Sequence, residues 1–141
     1  MNRYTFSIYS NCTDSEREAE FNSWYSYTHI PDLSAAKGLT SARRYINLDS
    51  ESRTRYLATY EFATESIQKS LISFFQLVRR AFETGRHIDC IESIKVINTP
   101  FVSCFKEIDP KSIRQLPSRE YPRIVPEALE KVEEYVKSFH N

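Results

Sequence analysis

Thr64-Glu65-Ser66-Ile67-Gln68-Lys69-Ser70-Leu71-Ile72-Ser73-Phe74-Phe75-Gln76-Leu77-Val78-Arg79-Arg80-Ala81-Phe82-Glu83-Thr84-Gly85 reads as one helix with both ends marked. Ile67, Leu71, Phe74, Phe75, Val78 and Phe82 fall at i, i+4, i+7, i+8, i+11 and i+15, which makes a single apolar stripe. Thr64-Glu65-Ser66 supplies the capping residues and Gly85 the stop. Working outward, residues 39–47 and 54–62 are rich in β-branched and aromatic side chains and are separated by a polar run. They read as a hairpin with a loose loop. On the other side, Ile94-Lys95-Val96-Ile97 begins a further strand, extended by residues 101–105 beyond Pro100, a residue that marks a bulge or an edge.

At the N-terminal end, Tyr4, Phe6 and Ile8 alternate with Thr5, Ser7 and Tyr9, the period of a half-buried strand. Asn11-Cys12-Thr13-Asp14-Ser15 is a turn, and Glu16, Glu18 and Glu20 are acids placed to open a helix that runs to about His29. Pro31 disfavours helical geometry at Ile30, so the helix should break or kink there, with a short second piece ending at Gly38. The order is strand, helix, strand, strand, helix, strand. That is an α+β chain, the βαββαβ of a ferredoxin-like sandwich, with four antiparallel strands and two helices on one face. The expected division is a domain over residues 1–108 and a C-terminal arm over 109–141. In the arm, Pro110, Pro117, Pro122 and Pro126 precede a helix whose Ala128, Leu129, Val132, Tyr135, Val136 and Phe139 form an apolar stripe. That stripe needs a surface, on the domain or on a partner subunit.

The composition narrows the chemistry. The 141 residues carry 19 Lys plus Arg and 19 Asp plus Glu, so no excess positive charge draws the chain to nucleic acid or to an anionic membrane. Lys111, Arg114, Arg119 and Arg123 are diluted by Asp109 and Glu120 and read as a solvated arm. Gly38 and Gly85 are the only glycines, too few for a phosphate loop or a dinucleotide fingerprint. No metal-ligand spacing occurs. Cys12, Cys90 and Cys104 are an odd number without CxxC spacing, which suggests neither a disulfide framework nor a zinc site and favours a reducing, cytoplasmic setting. An enzyme of this composition is expected to work with side chains alone, without cofactor or metal.

The candidate site lies in the first helix. Phe21, Tyr25, His29 and Leu33 are each four residues apart, so the face that turns toward the sheet carries a histidine inward. A neutral imidazole there can accept or give a proton near pH 7. Asp32, three residues on, is placed to orient the ring as a carboxylate does in a hydrolase triad. The competing reading is a core histidine that has merely found a partner.

Phe21-Asn22-x-Trp24-Tyr25-x-x-x-His29-x-Pro31-Asp32-Leu33, followed by Lys37-Gly38-Leu39-x-Ser41-Ala42-Arg43-Arg44-Tyr45, resembles the EthD-like branch of the dimeric α+β barrel superfamily. The resemblance spans about residues 4–106 and is most specific from Trp24 to Tyr45. It implies a ferredoxin-like monomer whose sheet meets that of a second copy, with a pocket between sheet and helices. It also implies relatives that include cofactor-free cyclases, isomerases, dehydratases and monooxygenases for aromatic or polyketide-like molecules, many members having no known activity. The motif histidine matches His29, and the arm from Asp109 departs from the short members.

Arg43 and Arg44 are adjacent in a strand, so one points to each face, and the inward one needs an anion or a carboxylate. Tyr4, Tyr9, Tyr45, Tyr56 and Tyr60 alternate through the strands, either lining a pocket for a flat ligand or simply filling core. The expected substrate-binding set is Trp24, Tyr25, Arg43, Tyr45 and Tyr60, with His29 and Asp32 as the catalytic pair. His87, in a polar loop, reads as solvated or as part of a pocket rim. The functional expectation is a homodimeric, cofactor-independent enzyme that cyclises, isomerises or dehydrates a small aromatic or polyketide-like natural product. Its alternatives are a cofactor-free monooxygenase and a dimer that only binds a small hydrophobic molecule.

Overall fold

A computed structural model describes residues 1–49, 51–52, 54–93 and 102–107. The elements are β1 (Asn2–Cys12), a 3-10 turn (Ser15–Arg17), α1 (Glu18–Trp24), a π-helical turn (Tyr25–His29) and α2 (Ile30–Leu33). They are followed by β2 (Leu39–Ile46), β3 (Tyr56–Thr64), α3 (Ile67–Glu83), β4 (Ile91–Ser93) and β5 (Val102–Lys106). Strand order across the sheet is β2-β3-β1-β4, with β5 also on β1, and every pairing is antiparallel. β1 and β2 run parallel but are held apart by β3, which is the split βαβ of a ferredoxin-like fold. Among the described residues no helix is long and apolar enough to cross a membrane.

The last sheet position differs from the sequence expectation. β4 begins at Ile91, before the apolar run, and pairs Cys12 with Ile91. β5 then takes over at Val102, pairing Ile8 with Val102, so two short strands share one edge of β1. Residues 94–97, expected to open that strand, and the arm from 109 onward lie outside the described residues.

One face of the sheet is fully packed. Tyr4 and Phe6 of β1 and Tyr56, Ala58, Tyr60 and Phe62 of β3 alternate onto it, each at most 6% exposed. Phe21, Tyr25 and Leu33 come down from the first helical stretch, and Ile67, Leu71, Phe74 and Phe75 from α3. Phe74 sits edge-on to Phe6 at 5.4 Å and to Tyr60 at 4.8 Å. Each fully buried large side chain contributes about 1.5–3 kcal/mol, against about 0–1 kcal/mol for an exposed ion pair, so this aromatic layer dominates the stability. α3 starts where Ser66 accepts a hydrogen bond from the Lys69 backbone N–H at 3.3 Å. The opposite face carries Arg43, Tyr45, Leu57, Thr59 and Phe105, with Tyr45 and Phe105 about half exposed.

Gly38 joins the first helical stretch to β2 at φ +83°, and its carbonyl accepts from the Ala63 N–H at 2.9 Å. A Cβ there would stand 3.1 Å from the Ala63 carbonyl, the Ser70 hydroxyl and the Thr64 Cβ. Both the backbone conformation and the space therefore call for glycine. Gly38→Ala is expected to destabilise the fold by about 1–3 kcal/mol, and a urea melt showing no shift in midpoint would contradict this.

Candidate functional site

The first helical stretch is continuous through Pro31, and the reason is a wide turn upstream. In a regular α-helix Pro31 would leave the Tyr27 carbonyl without its donor and press its ring on that carbonyl. Instead residues 25–29 take π-helical geometry, and the Ile30 N–H donates to the Tyr25 carbonyl five residues back. The chain widens before the proline where the sequence suggested a break. Two consequences place the site. Steps of four residues drift about 40° each on an α-helix, but the wider turn absorbs the drift, so Phe21, Tyr25, His29 and Leu33 are all buried on one side. Residues five apart, about 140° from each other on an α-helix, here lie one above the other. Trp24 thereby stacks on His29 at 4.5 Å and 21°.

His29 is 6% exposed. The Tyr25 ring meets it edge-on at 5.0 Å and the His87 ring at 5.6 Å. Its Nδ1 is buried and has no hydrogen-bond partner among the described residues. Burial, helped by the nearby His87 and Arg44 and opposed by Asp32, lowers its pKa from 6.5 to about 3. The ring is therefore neutral at physiological pH and carries one nitrogen as acceptor. His29 is thus buried with one ring nitrogen unsatisfied among the described residues.

Beneath it lies a second polar group. The Tyr25 and Tyr60 hydroxyls are 3.4 Å apart in the core, and burial raises the pKa of both phenols, so each stays protonated. Arg44 completes this layer. Its guanidinium stacks on Tyr25 at 4.5 Å, Tyr56 at 5.2 Å and Phe21 at 5.8 Å. It donates to the Asn22 side chain at 2.8 Å and the Ser26 hydroxyl at 3.0 Å. Sequence reasoning asked for an anion opposite the inward arginine, and the fold supplies ring faces and neutral oxygens.

The sequence-derived set divides. Trp24, Tyr25 and His29 come together, and Tyr60 joins through Tyr25. Arg43 and Tyr45 do not, because strand alternation puts them on the other face of the sheet, with Arg44 inward. Asp32 does not orient His29 either. Its carboxylate is gripped by Arg86 through two bonds of 2.7 and 3.1 Å, a charge-assisted fork that outcompetes a neutral imidazole. His87 is packed, not solvated, with its ring on Phe82 at 3.8 Å. Trp24 donates its indole N–H to the Arg86 carbonyl at 2.7 Å. His87 thus packs against His29, in a loop fastened by Arg86 to Asp32 and by Asp89 to Arg17. The helical spacing and Pro31 pointed to the His29 face, but the pairing of Asp32 with Arg86 and of Arg17 with Asp89 left no local mark in the sequence.

Two clefts lie elsewhere. One of about 320 Å³ is lined by Arg3, Thr5, Glu61, Ala63, Phe105 and Glu107 on the open sheet face. Another of about 170 Å³ lies between Tyr9, Tyr45, Arg55 and Leu57. Neither reaches His29. No group of three or more metal-ligating side chains occurs among the described residues.

No family model matches the sequence, and no curated protein matches it. Two solved structures are similar in fold. One is an EthD family protein from Bacillus halodurans C-125, 16% identical, covering 77% of this chain and 100% of that one at a TM-score of 0.49. The other is a candidate monooxygenase from Shewanella loihica PV-4, 12% identical, covering 77% of this chain and 98% of that one at the same TM-score.

The depressed pKa of His29 makes stability depend on pH. Between about pH 3 and 6.5 the unfolded chain binds a proton on this residue that the native state refuses, so stability falls as pH drops through that window. His29→Phe keeps a flat ring and removes the group that titrates. The loss of urea-melt midpoint from pH 7 to pH 5 should be smaller in the variant than in the wild type, and equal losses would refute the assignment.

Proposed function

We propose that the protein is a small-molecule enzyme of the EthD-like kind, working without a cofactor on a cyclic, aromatic or polyketide-like compound, with His29 as its general acid/base. The observation that supports this reading most is the buried neutral imidazole with an unpartnered Nδ1, enclosed by Trp24, Tyr25 and His87. According to the tautomer, such a nitrogen gives or takes a hydrogen bond with a ligand hydroxyl or carbonyl, and the aromatic walls suit a flat molecule. A base with a pKa near 3 is weak at rest. Negative charge developing on a substrate beside it would raise that value, so the proton moves as the enolate forms. Residues 84–90 are the piece that has to shift to admit the ligand.

A second reading, a protein that binds such a molecule without turning it over, is favoured by one fact. Asp32 is bonded to Arg86, which leaves His29 without a hydrogen-bonded carboxylate to hold an imidazolium. Trp24 is the single tryptophan and stacks on His29, so its fluorescence reports the site. Titration with a panel of naphthols and hydroxylated quinones should give saturable quenching that His29→Leu weakens in a still-folded chain. For a compound that saturates, His29→Ala should lower turnover by about a hundredfold or more. Binding with no product at all selects the second reading, and quenching by none of the panel removes both.

The open sheet face with its half-exposed Tyr45 and Phe105 is proposed to meet a second copy of the chain, whose sheet would also roof the 320 Å³ cleft. Sedimentation at micromolar concentration should show a dimer that Phe105→Glu weakens, and a stable wild-type monomer would end this part of the proposal.

A further inference from the structure

We propose that Cys12 and Cys90 form a reversible redox site that closes to an intramolecular disulfide by exchange with a low-molecular-weight disulfide such as oxidised glutathione. The two residues are 78 positions apart in sequence, yet their sulfurs are 3.7 Å from each other, and both are free thiols. Their approach is built by the sheet. Cys12 ends β1 opposite Ile91, and the Thr13 N–H donates to the Cys90 carbonyl at 2.8 Å, so both backbones are fixed. Closing the bond asks for a shift of the side chains within a space the fold has already set.

The pair is also asymmetric. Cys12 is partly exposed, whereas Cys90 is 3% exposed and burial pushes its thiol up. Cys12 therefore acts first. Its thiol loses a proton, and the thiolate attacks one sulfur of glutathione disulfide. The S–S bond breaks and one glutathione leaves with the bonding pair, which leaves a mixed disulfide on Cys12. Cys90 then loses its proton and attacks the Cys12 sulfur, expelling the second glutathione. Two protein thiols are oxidised by two electrons, one glutathione disulfide is reduced to two thiols, and the two protons end on those thiols. The bond would tie Cys90 covalently to the end of β1, one residue from Asp89, which already pairs with Arg17 at the start of the first helical stretch. None of this depends on the role proposed for His29.

The full chain, reduced and then incubated with a glutathione disulfide buffer, should yield a non-reduced peptide joining the Cys12 fragment to the Cys90 fragment. It should retain no glutathione and revert with dithiothreitol. Cys90→Ala should trap glutathione on Cys12, and Cys12→Ser, at the more exposed position, should abolish the link without loss of fold. The proposal is overturned by thiols that stay alkylatable throughout, by glutathione that persists on Cys12 of the wild type, or by a bond that runs through Cys104 or between chains. If Cys90→Ala does not fold, the wild-type peptide map and the Cys12→Ser variant decide alone.

Discussion

A helix that must pass through a proline without leaving the sheet governs the rest of this molecule. Pro31 takes away one donor, and the chain answers by widening the turn before it, with the Ile30 N–H reaching back to Tyr25. That adjustment keeps four buried side chains in line over thirteen residues and sets Trp24 above His29. An unbroken α-helix would have rotated Leu33 or Phe21 away from the core, and a break would have cost the packing of one of them. π-helical turns are often retained at functional sites because they are less stable than the α-helix they interrupt. Here the retained feature and the unpartnered imidazole are the same five residues.

The buried centre is held by chemistry that avoids charge pairs. Arg44 rests on three ring faces and three neutral oxygens, and the Tyr25 and Tyr60 phenols stay protonated beneath it. Ion pairs stand instead at the periphery, among them Asp32 with Arg86, Glu18 with Arg55 and Asp89 with Arg17. This division explains why His29 is so weakly basic, since no carboxylate in hydrogen-bond contact offsets its desolvation. It also makes the site responsive, because any anionic group brought next to the ring changes its proton affinity strongly.

Much of this was legible in the sequence where a periodic pattern had a single solution. The four-residue spacing of Phe21, Tyr25, His29 and Leu33 is buried throughout, and the stripe of α3 is buried from Ile67 to Phe75 and half-buried at Val78 and Phe82. In β1, by contrast, the alternation holds for Tyr4 and Phe6, but Ser7 is buried and Ile8 half-buried. Partners distant along the chain were not legible. Nothing local says that Asp32 belongs to Arg86, that His87 packs on Phe82, or that Cys12 meets Cys90. Arg43 and Arg44 show the same limit. Alternation dictates that one faces inward, but the choice depends on the pairing of β2 with β3, including the irregularity between Leu39 and Ser41 that resets the register.

β1, made first, occupies the middle of the sheet, with β3 along one edge and β4 and β5 sharing the other. Its two sides are therefore satisfied at very different times during synthesis. The β3 side can close once the chain has emerged as far as Thr64, because Asn2 through Ser10 of β1 pair with Thr64 back to Tyr56 of β3. The other side waits for residues 102–106, whose partners Tyr4 to Ile8 have by then stood as an unpaired edge for the translation of some forty further residues. Such an edge is a template for pairing with another chain. Its exposure ends only when β5 pairs along Tyr4 to Ile8, so the last strand of the sheet is also the one that closes its central strand.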